Sequence, residues 1–221
     1  SVLARNWRAP LYALDYLKNG KFSRNGYGPH YLSDIRQHRE DLRPFPLRNV
    51  LLGASVEDQK TADLRRPSLS VVARRGWRTW VSYEPALGPV DWTGWEFIKS
   101  LVVGGESGPE ARPMHPAWAR AARHFAIPRG IAFLFKQWGE WAPICAMTEV
   151  LTDSLYAPAA VRRYGFPRRC KVEQGVMHAD GKVFRHLDPL AFADPSAMSI
   201  YKTGKKRAGR LLDGVLHDAR P

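Results

Sequence analysis

Four short apolar runs recur between residues 49 and 141, and each is followed by polar or glycine residues. They span residues 49–56, 79–83, 100–103 and 131–135. Runs of this length without alternation are typical of strands buried on both faces, as in parallel sheets. Their ends lie 27, 20 and 32 residues apart, about one strand–helix unit of an α/β barrel or a doubly wound sheet. The pattern therefore predicts an α/β fold with four parallel strands over residues 49–141, which form either a partial (β/α) barrel or part of a doubly wound sheet.

The segments between these runs contain helix signals. Asp58 is suited to cap a helix that begins near Gln59, and Pro116 stands at the first turn of a helix over 117–125. Between the second and third runs, only a short helical turn around 92–99 fits. Four strands alone would leave an unpaired sheet edge, which needs to be covered to avoid aggregation.

The flanking segments differ from this repeating pattern. Residues 1–48 are predicted to be an N-terminal helical segment, which could cover the open sheet edge. Residues 142–221 are predicted to be a C-terminal extension. Within it, residues 176–184 suggest a hairpin with an Asp-Gly turn, and residues 204–214 suggest a basic helix that ends at a glycine.

Composition narrows the class of protein. The longest apolar runs are about five residues, whereas a membrane helix needs ~20, so we expect no membrane association through a spanning helix. Cys145 and Cys170 are the two cysteines, too few for a disulfide scaffold or a metal site, which favours a reduced cytoplasmic chain. The net charge is +13, which favours contact with nucleic acid or nucleotides. The alternative is that a coding sequence rich in G and C has raised the arginine content.

Charged side chains follow the predicted strands. Glu57, Glu84, Glu106 and Lys136 each come just after an apolar run. Because the carboxyl ends of parallel strands lie on one face, these side chains should converge there, where α/β folds bind ligands. Glu57, Glu84 and Lys136 are therefore candidate catalytic residues, in a set that could transfer protons, bind a polar substrate or hold a cation. The alternative is that strand ends are simply solvent-facing and polar in any such fold.

The stretch Gly-Gly-Glu-Ser-Gly at 104–108 is the sharpest local motif. Glycines at a strand end allow a ligand to approach the backbone closely. The spacing differs from the dinucleotide fingerprint, the phosphate loop and the nucleophile elbow. The motif is either a ligand loop or a tight turn.

Other candidates are less specific. His115 precedes a predicted helix and is either a site residue or a capping residue. The tryptophans are more often core residues than stacking platforms, although one of Trp138 and Trp141 could stack on a base. The basic clusters are either solvated surfaces or phosphate contacts; they comprise Arg162, Arg163, Arg168, Arg169, Lys205, Lys206 and Arg207.

Five stretches together resemble the phage gene-product 37/68 family, an uncharacterised family: residues 49–59, 81–90, 102–116, 135–141 and 204–214. That family is similar to the radical S-adenosylmethionine enzymes, which hold an iron–sulfur cluster and the cofactor at the open end of a partial α/β barrel. The resemblance implies cofactor or substrate contacts at Gly104, Gly105, Glu106, Ser107, His115 and Gln137. Glu84 and Lys136 would flank the reacting centre, and Glu57 is a further position that matches the family. The family's N-terminal cysteine triplet has no counterpart here, so the chain itself supplies no cofactor.

Three functions are compatible with these observations. The first is the carboxyl-terminal part of a radical S-adenosylmethionine-like enzyme acting on a nucleobase or a phosphorylated substrate. Its barrel would be completed by a missing N-terminal segment or a second chain. The second is a non-catalytic module that binds nucleic acid or nucleotides. The third is a cluster-independent enzyme that uses its carboxylates for acid–base or metal chemistry.

Overall fold

A four-stranded parallel sheet organises the fold. The computed structural model describes residues 46–47, 49–157 and 169–221. The sheet has the order β1-β2-β3-β4, with every neighbouring pair parallel. Its strands are β1 (Leu51–Ser55), β2 (Arg78–Tyr83), β3 (Ser100–Gly104) and β4 (Ala132–Gln137). The predicted α/β class with four parallel strands is confirmed.

Two helices form where the sequence predicted them. Helix α1 (Gln59–Arg74) starts at Asp58, whose carboxylate accepts the Thr61 N–H at 2.8 Å. The Thr61 hydroxyl in turn accepts the Asp58 N–H at 3.0 Å, which completes a reciprocal capping box. Helix α2 (Pro116–Ala126) continues into a 3-10 turn (Ile127–Arg129) that ends at Gly130. Helix α1 contacts β1 and β2, and α2 contacts β3 and β4.

The two faces of the parallel sheet differ. The face that packs against the helices buries the apolar side chains Val81, Tyr83, Leu101, Val103, Phe133 and Phe135. Trp92 joins this layer, because its ring contacts both Tyr83 and Phe125 of α2. Strand alternation sends Trp80, Ser82, Val102 and Leu134 to the opposite face, where they are half-buried. We call this the Trp80 face.

The connection from β2 to β3 differs from the prediction. Residues 92–99 form two consecutive turns rather than a turn of helix: the Trp95 N–H donates to Trp92, and the Ile98 N–H donates to Trp95. All three side chains are buried. The prediction was wrong because this threefold spacing of apolar residues is also produced by successive turns that face the core.

The C-terminal part contains a second, antiparallel sheet in the order β5-β8-β6-β7. Its strands are β5 (Trp141–Pro143), β6 (Gln174–Met177), β7 (Val183–Phe184) and β8 (Met198–Lys202). A 3-10 turn (Ile144–Ala146) and helix α3 (Glu149–Ser154) follow β5. Strands β6 and β7 form the predicted hairpin.

The predicted basic helix over 204–214 is only partly correct. Helix α4 (Lys205–Ala208) is followed by a hairpin of β9 (Leu211–Leu212) and β10 (Val215–Leu216). Asp213 and Gly214 both have positive φ, 53° and 76°. An Asp-Gly pair with this geometry favours a tight hairpin turn over helix continuation.

The outer edge of β4 is occupied by the end of the chain. The Phe135 N–H donates to the His217 carbonyl at 3.0 Å, and the Ala219 N–H donates to Phe133 at 3.3 Å. Residues 217–219 thus cover one of the two open edges of the parallel sheet, which we expected to need covering. The predicted N-terminal helical segment lies outside the described residues, except for residues 46 and 47. No helix in the described ranges has both the length and the hydropathy to cross a membrane.

Candidate functional site

Hydrogen bonds join the segments that follow the four parallel strands into one row, which we call the strand-end row: Glu57, residues 84–87, residues 104–107, and Lys136 with Gln137. The Leu87 N–H donates to the Glu57 carbonyl at 2.7 Å, and the Ala86 N–H donates to Gly104 at 3.0 Å. The Gly105 N–H donates to Gln137 at 2.9 Å. The first bond links the segments after β1 and β2, the second those after β2 and β3, and the third those after β3 and β4. The carboxyl ends of the strands therefore lie side by side.

Glu84 and Lys136 form an ion pair in this row. The Lys136 ammonium lies 3.2 Å from one Glu84 carboxylate oxygen and 3.4 Å from the other. The Ser82 hydroxyl donates to the same carboxylate at 3.3 Å. The side chain of Lys136 is 55% exposed and that of Glu84 is 17% exposed. A half-exposed cation beside a largely buried carboxylate offers a ligand both signs of charge at one place.

The Glu84 carboxylate lies across Gly104. A Cβ atom added to Gly104 would come within 2.4 Å of a Glu84 carboxylate oxygen. The absence of a side chain at this position is therefore what allows Glu84 to reach Lys136. One residue further, a Cβ atom on Gly105 would lie 1.9 Å from the Trp138 carbonyl oxygen. The double glycine thus serves close packing inside the protein.

Gln137 and Ser107 extend the row of polar side chains. The Gln137 amide donates to the Ser107 hydroxyl at 2.9 Å and to the Gly105 carbonyl at 3.4 Å. Gln137 therefore connects the end of β4 to the Gly104–Gly108 loop. The Ser107 side chain is exposed, which keeps its hydroxyl accessible.

Glu57 and Glu106 are each engaged by an arginine. The Arg65 guanidinium lies 2.7 Å from the Glu57 carboxylate and also bonds the Ser55 carbonyl. Arg112 makes a bidentate contact with Glu106, at 2.8 and 2.9 Å. Its hydrogen bonds hold the pKa of the Glu106 carboxyl below its usual range. Both carboxylates therefore fix local structure, Glu57 through α1 and Glu106 through its own loop.

His115 uses both ring nitrogens within the protein. Its Nδ1 accepts the Ala117 N–H at 3.1 Å, so Nε2 is the protonated nitrogen and donates to the Ser196 carbonyl at 2.9 Å. The side chain is buried, and burial lowers the pKa of the imidazole. His115 is the N-cap of α2, which agrees with the capping interpretation; a role in ligand binding stays a prediction.

The prediction that Trp138 or Trp141 stacks on a base was wrong. Both side chains are buried, with 1% and 7% exposure. The Trp138 indole N–H donates to Leu211 and that of Trp141 to Ala111. Each ring anchors a loop to the core because a buried indole needs an acceptor for its N–H group.

Glu140 links the Gly104–Gly108 loop to the segment that begins at Gly204. We call residues 205–207 of α4 the basic turn. Its carboxylate accepts the Gly108 N–H and the Lys205 N–H, each at 3.3 Å. Its backbone also bonds to both segments: its N–H donates to Glu106 and its carbonyl accepts from Gly204. The exposed side chains Lys205, Lys206 and Arg207 are therefore tethered beside the strand-end row.

Of the other predicted phosphate contacts, Arg169 is the one within the described residues. Arg169 is exposed, and its carbonyl accepts the Ala157 N–H. Arg162, Arg163 and Arg168 lie outside the described residues. Their proposed contact with nucleic acid stays a prediction.

Trp80 is a candidate that the sequence analysis did not single out. It occupies the same face of β2 as Ser82, whose hydroxyl donates to the Glu84 carboxylate just beyond the end of the strand. The only sequence signal for this placement is that alternation. The parallel register pairs Trp80 with Gly53 of β1, and this pairing is not visible in the sequence.

A cavity of about 410 Å³ lies beside the glycine loop. It is lined by residues 110–113, by Trp141 and Gln174 of the antiparallel sheet, and by Arg185, which follows β7. Arg112 lines the cavity while holding Glu106. The cavity therefore borders the loop that follows β3.

The described residues do not fit the ligand set of an iron–sulfur cluster. Cys145 lies 3.6 Å from the Arg120 guanidinium, and Cys170 forms a backbone bridge with Tyr156. Within the ranges that the structure describes, no group of three or more His, Cys, Asp or Glu side chains is placed to hold a metal ion. The described residues are therefore assigned no role as ligands of an iron–sulfur cluster.

The comparison with family models identifies the family of this chain. A model described as "Protein of unknown function (DUF5131)" matches residues 21–221. The chain therefore belongs to this uncharacterised family. The searches of curated proteins and of solved structures returned no match.

Proposed function

We propose that the strand-end row binds a nucleobase-containing or phosphorylated ligand. In this proposal the chain contributes the substrate-binding or cofactor-binding part of a radical S-adenosylmethionine-like enzyme. The observation that carries the proposal is the Glu84–Lys136 pair, with its 3.2 Å contact and its half-exposed ammonium. The catalytic step belongs to residues or a partner outside the described ranges.

The pair suits ligands that carry a negative group, with or without a positive group beside it. Lys136 is able to bind a phosphate or carboxylate, and Glu84 is able to bind an ammonium group. S-adenosylmethionine carries both a carboxylate and an ammonium group on one carbon atom, and a nucleotide carries phosphates. The tethered basic turn at 205–207 adds positive charge beside the row, which favours the anionic part of either ligand.

Calorimetric titration with adenosine triphosphate and with S-adenosylmethionine tests this proposal. We expect Lys136→Met to weaken both probes about tenfold or more, because a charge-assisted hydrogen bond contributes about 1.5–3 kcal/mol. We expect Glu84→Gln to weaken S-adenosylmethionine selectively, through its ammonium group. Glu96→Gln is the matched control, since Glu96 is half-exposed and lies 4.0 Å from Arg129. Failure of the wild-type chain to bind either probe, or unchanged affinity in both site variants, would overturn the proposal.

The second candidate is a non-catalytic module that binds nucleic acid. The exposed basic turn at 205–207 favours it, together with the net charge of +13. This function predicts affinity for a single-stranded oligonucleotide that falls steeply with salt, and no affinity for S-adenosylmethionine. Binding of S-adenosylmethionine that depends on Glu84 would exclude it as the whole function.

A further inference from the structure

The indole of Trp80 packs closely beside Gly53 of the neighbouring strand. A Cβ atom added to Gly53 would come within 2.3 Å of the indole Nε1 atom of Trp80 and within 2.5 Å of its Cε2 atom. The indole therefore occupies the space that any other side chain at position 53 would fill. Gly53 and Trp80 are register partners in the parallel ladder, so this contact is built into the sheet.

The Trp80 ring has few partners within the described residues. Among them, its indole N–H has no hydrogen-bond acceptor and its ring has no aromatic neighbour, although the side chain is half-buried. By contrast, the indole N–H groups of Trp118, Trp138 and Trp141 each donate to a backbone carbonyl. A partly exposed tryptophan without an aromatic partner is suited to stack on a planar ligand.

Trp80 is aligned with the charged pair. Trp80 and Ser82 lie on one face of β2, and the Ser82 hydroxyl donates to Glu84 just beyond the end of the strand. At ~3.3 Å per residue, the four residues from Trp80 to Glu84 span at most about 13 Å. Ser82 lies between them and bonds to Glu84. A ligand with an aromatic ring at one end and a charged group at the other would span this distance.

We propose that Trp80 is the stacking platform for the nucleobase of the ligand whose charged end binds at Glu84 and Lys136. This inference rests on the proposed function and specifies its ligand class: an aromatic base joined to a charged tail. Gly53 is the positioning residue, because the lack of a side chain at this position leaves room for the indole beside β1. Stacking does not depend on hydrogen bonds to the edge of the base. We therefore expect both adenine and guanine nucleotides to bind.

Replacement of Trp80 tests the platform. Base–aromatic stacking changes affinity about fivefold to a hundredfold per base, so Trp80→Leu should weaken adenosine triphosphate by that factor. It should leave the affinity for inorganic triphosphate, which has no base, unchanged. Trp80→Phe keeps a ring and should retain most of the affinity. Phe192→Leu is the matched control, because Phe192 is an exposed aromatic residue that lies outside the parallel sheet.

A second variant and a spectroscopic readout make the test independent of folding defects. Gly53→Ala displaces the indole without removing it and should produce the same selective loss for adenosine triphosphate. Adenosine triphosphate should quench the tryptophan emission of the wild-type chain and should quench that of Trp80→Phe much less. Equal affinity of wild type, Trp80→Leu and Gly53→Ala, alongside loss in Lys136→Met, would overturn the platform and leave the proposed function intact. Unchanged affinity in both Lys136→Met and Glu84→Gln would instead overturn the proposed function itself.

Discussion

Gly104 and Gly105 are adjacent in the chain, yet we expect an alanine to have different effects at the two positions. At Gly104 the new Cβ atom meets the Glu84 carboxylate, with 2.4 Å to the nearest oxygen. That carboxylate is the end of a flexible side chain, which can rotate away. At Gly105 the new Cβ atom meets the backbone carbonyl of Trp138, with 1.9 Å to the oxygen and 2.6 Å to the carbon.

The expected loss in the free energy of unfolding depends on which atoms must move to relieve each clash. Relief of the clash at Gly105 to an ordinary contact requires the Trp138 carbonyl to retreat by about 1.5 Å. Such a shift disrupts two 2.9 Å backbone bonds, from Gly105 to Gln137 and from Glu140 to Glu106. At about 1–3 kcal/mol for each group left unsatisfied, Gly105→Ala should lower the free energy of unfolding by about 2–6 kcal/mol. Gly104→Ala should cost less than about 1 kcal/mol, because it disturbs an ion pair with an exposed lysine.

Thermal unfolding followed by circular dichroism measures the difference. For a chain of this size each kcal/mol lowers the melting temperature by about 2–4 °C, so Gly105→Ala should melt roughly 5–20 °C below wild type. Gly104→Ala should melt within a few degrees of wild type but lose affinity for S-adenosylmethionine, because Glu84 is displaced from Lys136. Equal melting temperatures for the two variants, or a larger loss in Gly104→Ala, would refute the close-approach reasoning.

Two further predictions concern the helix cap and the basic turn. Asp58→Ala should lower the free energy of unfolding by about 1 kcal/mol at neutral pH. Because the Thr61 N–H lowers the pKa of Asp58 in the folded protein, this contribution is present above the ordinary carboxyl pKa and lost on acidification. Urea titrations of variant and wild type should therefore converge at low pH, and a constant difference would contradict the cap. The double variant Lys205→Ala, Lys206→Ala should reduce the salt slope of single-stranded oligonucleotide binding by about 1.4; an unchanged slope would show that the turn does not contact phosphate.

Most of the parallel sheet was predictable from the sequence. Buried parallel strands require uninterrupted apolar runs, and the four runs are visible as such. The capping residues of α1 and α2 were also recognisable, because their side chains act locally. The hairpin at 211–216 was missed, since the preceding basic stretch resembles a helix. Its turn is decided by Asp213 and Gly214, whose positive φ angles suit a hairpin.

The candidate site was predictable only in part. Convergence of Glu84 and Lys136 follows from the topology of parallel strands, and the structure places them 3.2 Å apart. The engagement of Glu106 by Arg112 depends on loop geometry that no local pattern encodes. The role of Trp80 depends on its register opposite Gly53. Register is a property of two strands together, so one strand's sequence does not reveal it.

Hydrogen–deuterium exchange with and without saturating adenosine triphosphate is the most direct test of ligand binding at the strand-end row. It locates the ligand on the wild-type chain without relying on any variant. We predict that protection increases in peptides that cover residues 84–88, 104–108 and 136–140, which contain the backbone bonds of the row. Protection confined to the antiparallel sheet over residues 174–202, with no change in these three segments, would contradict the account.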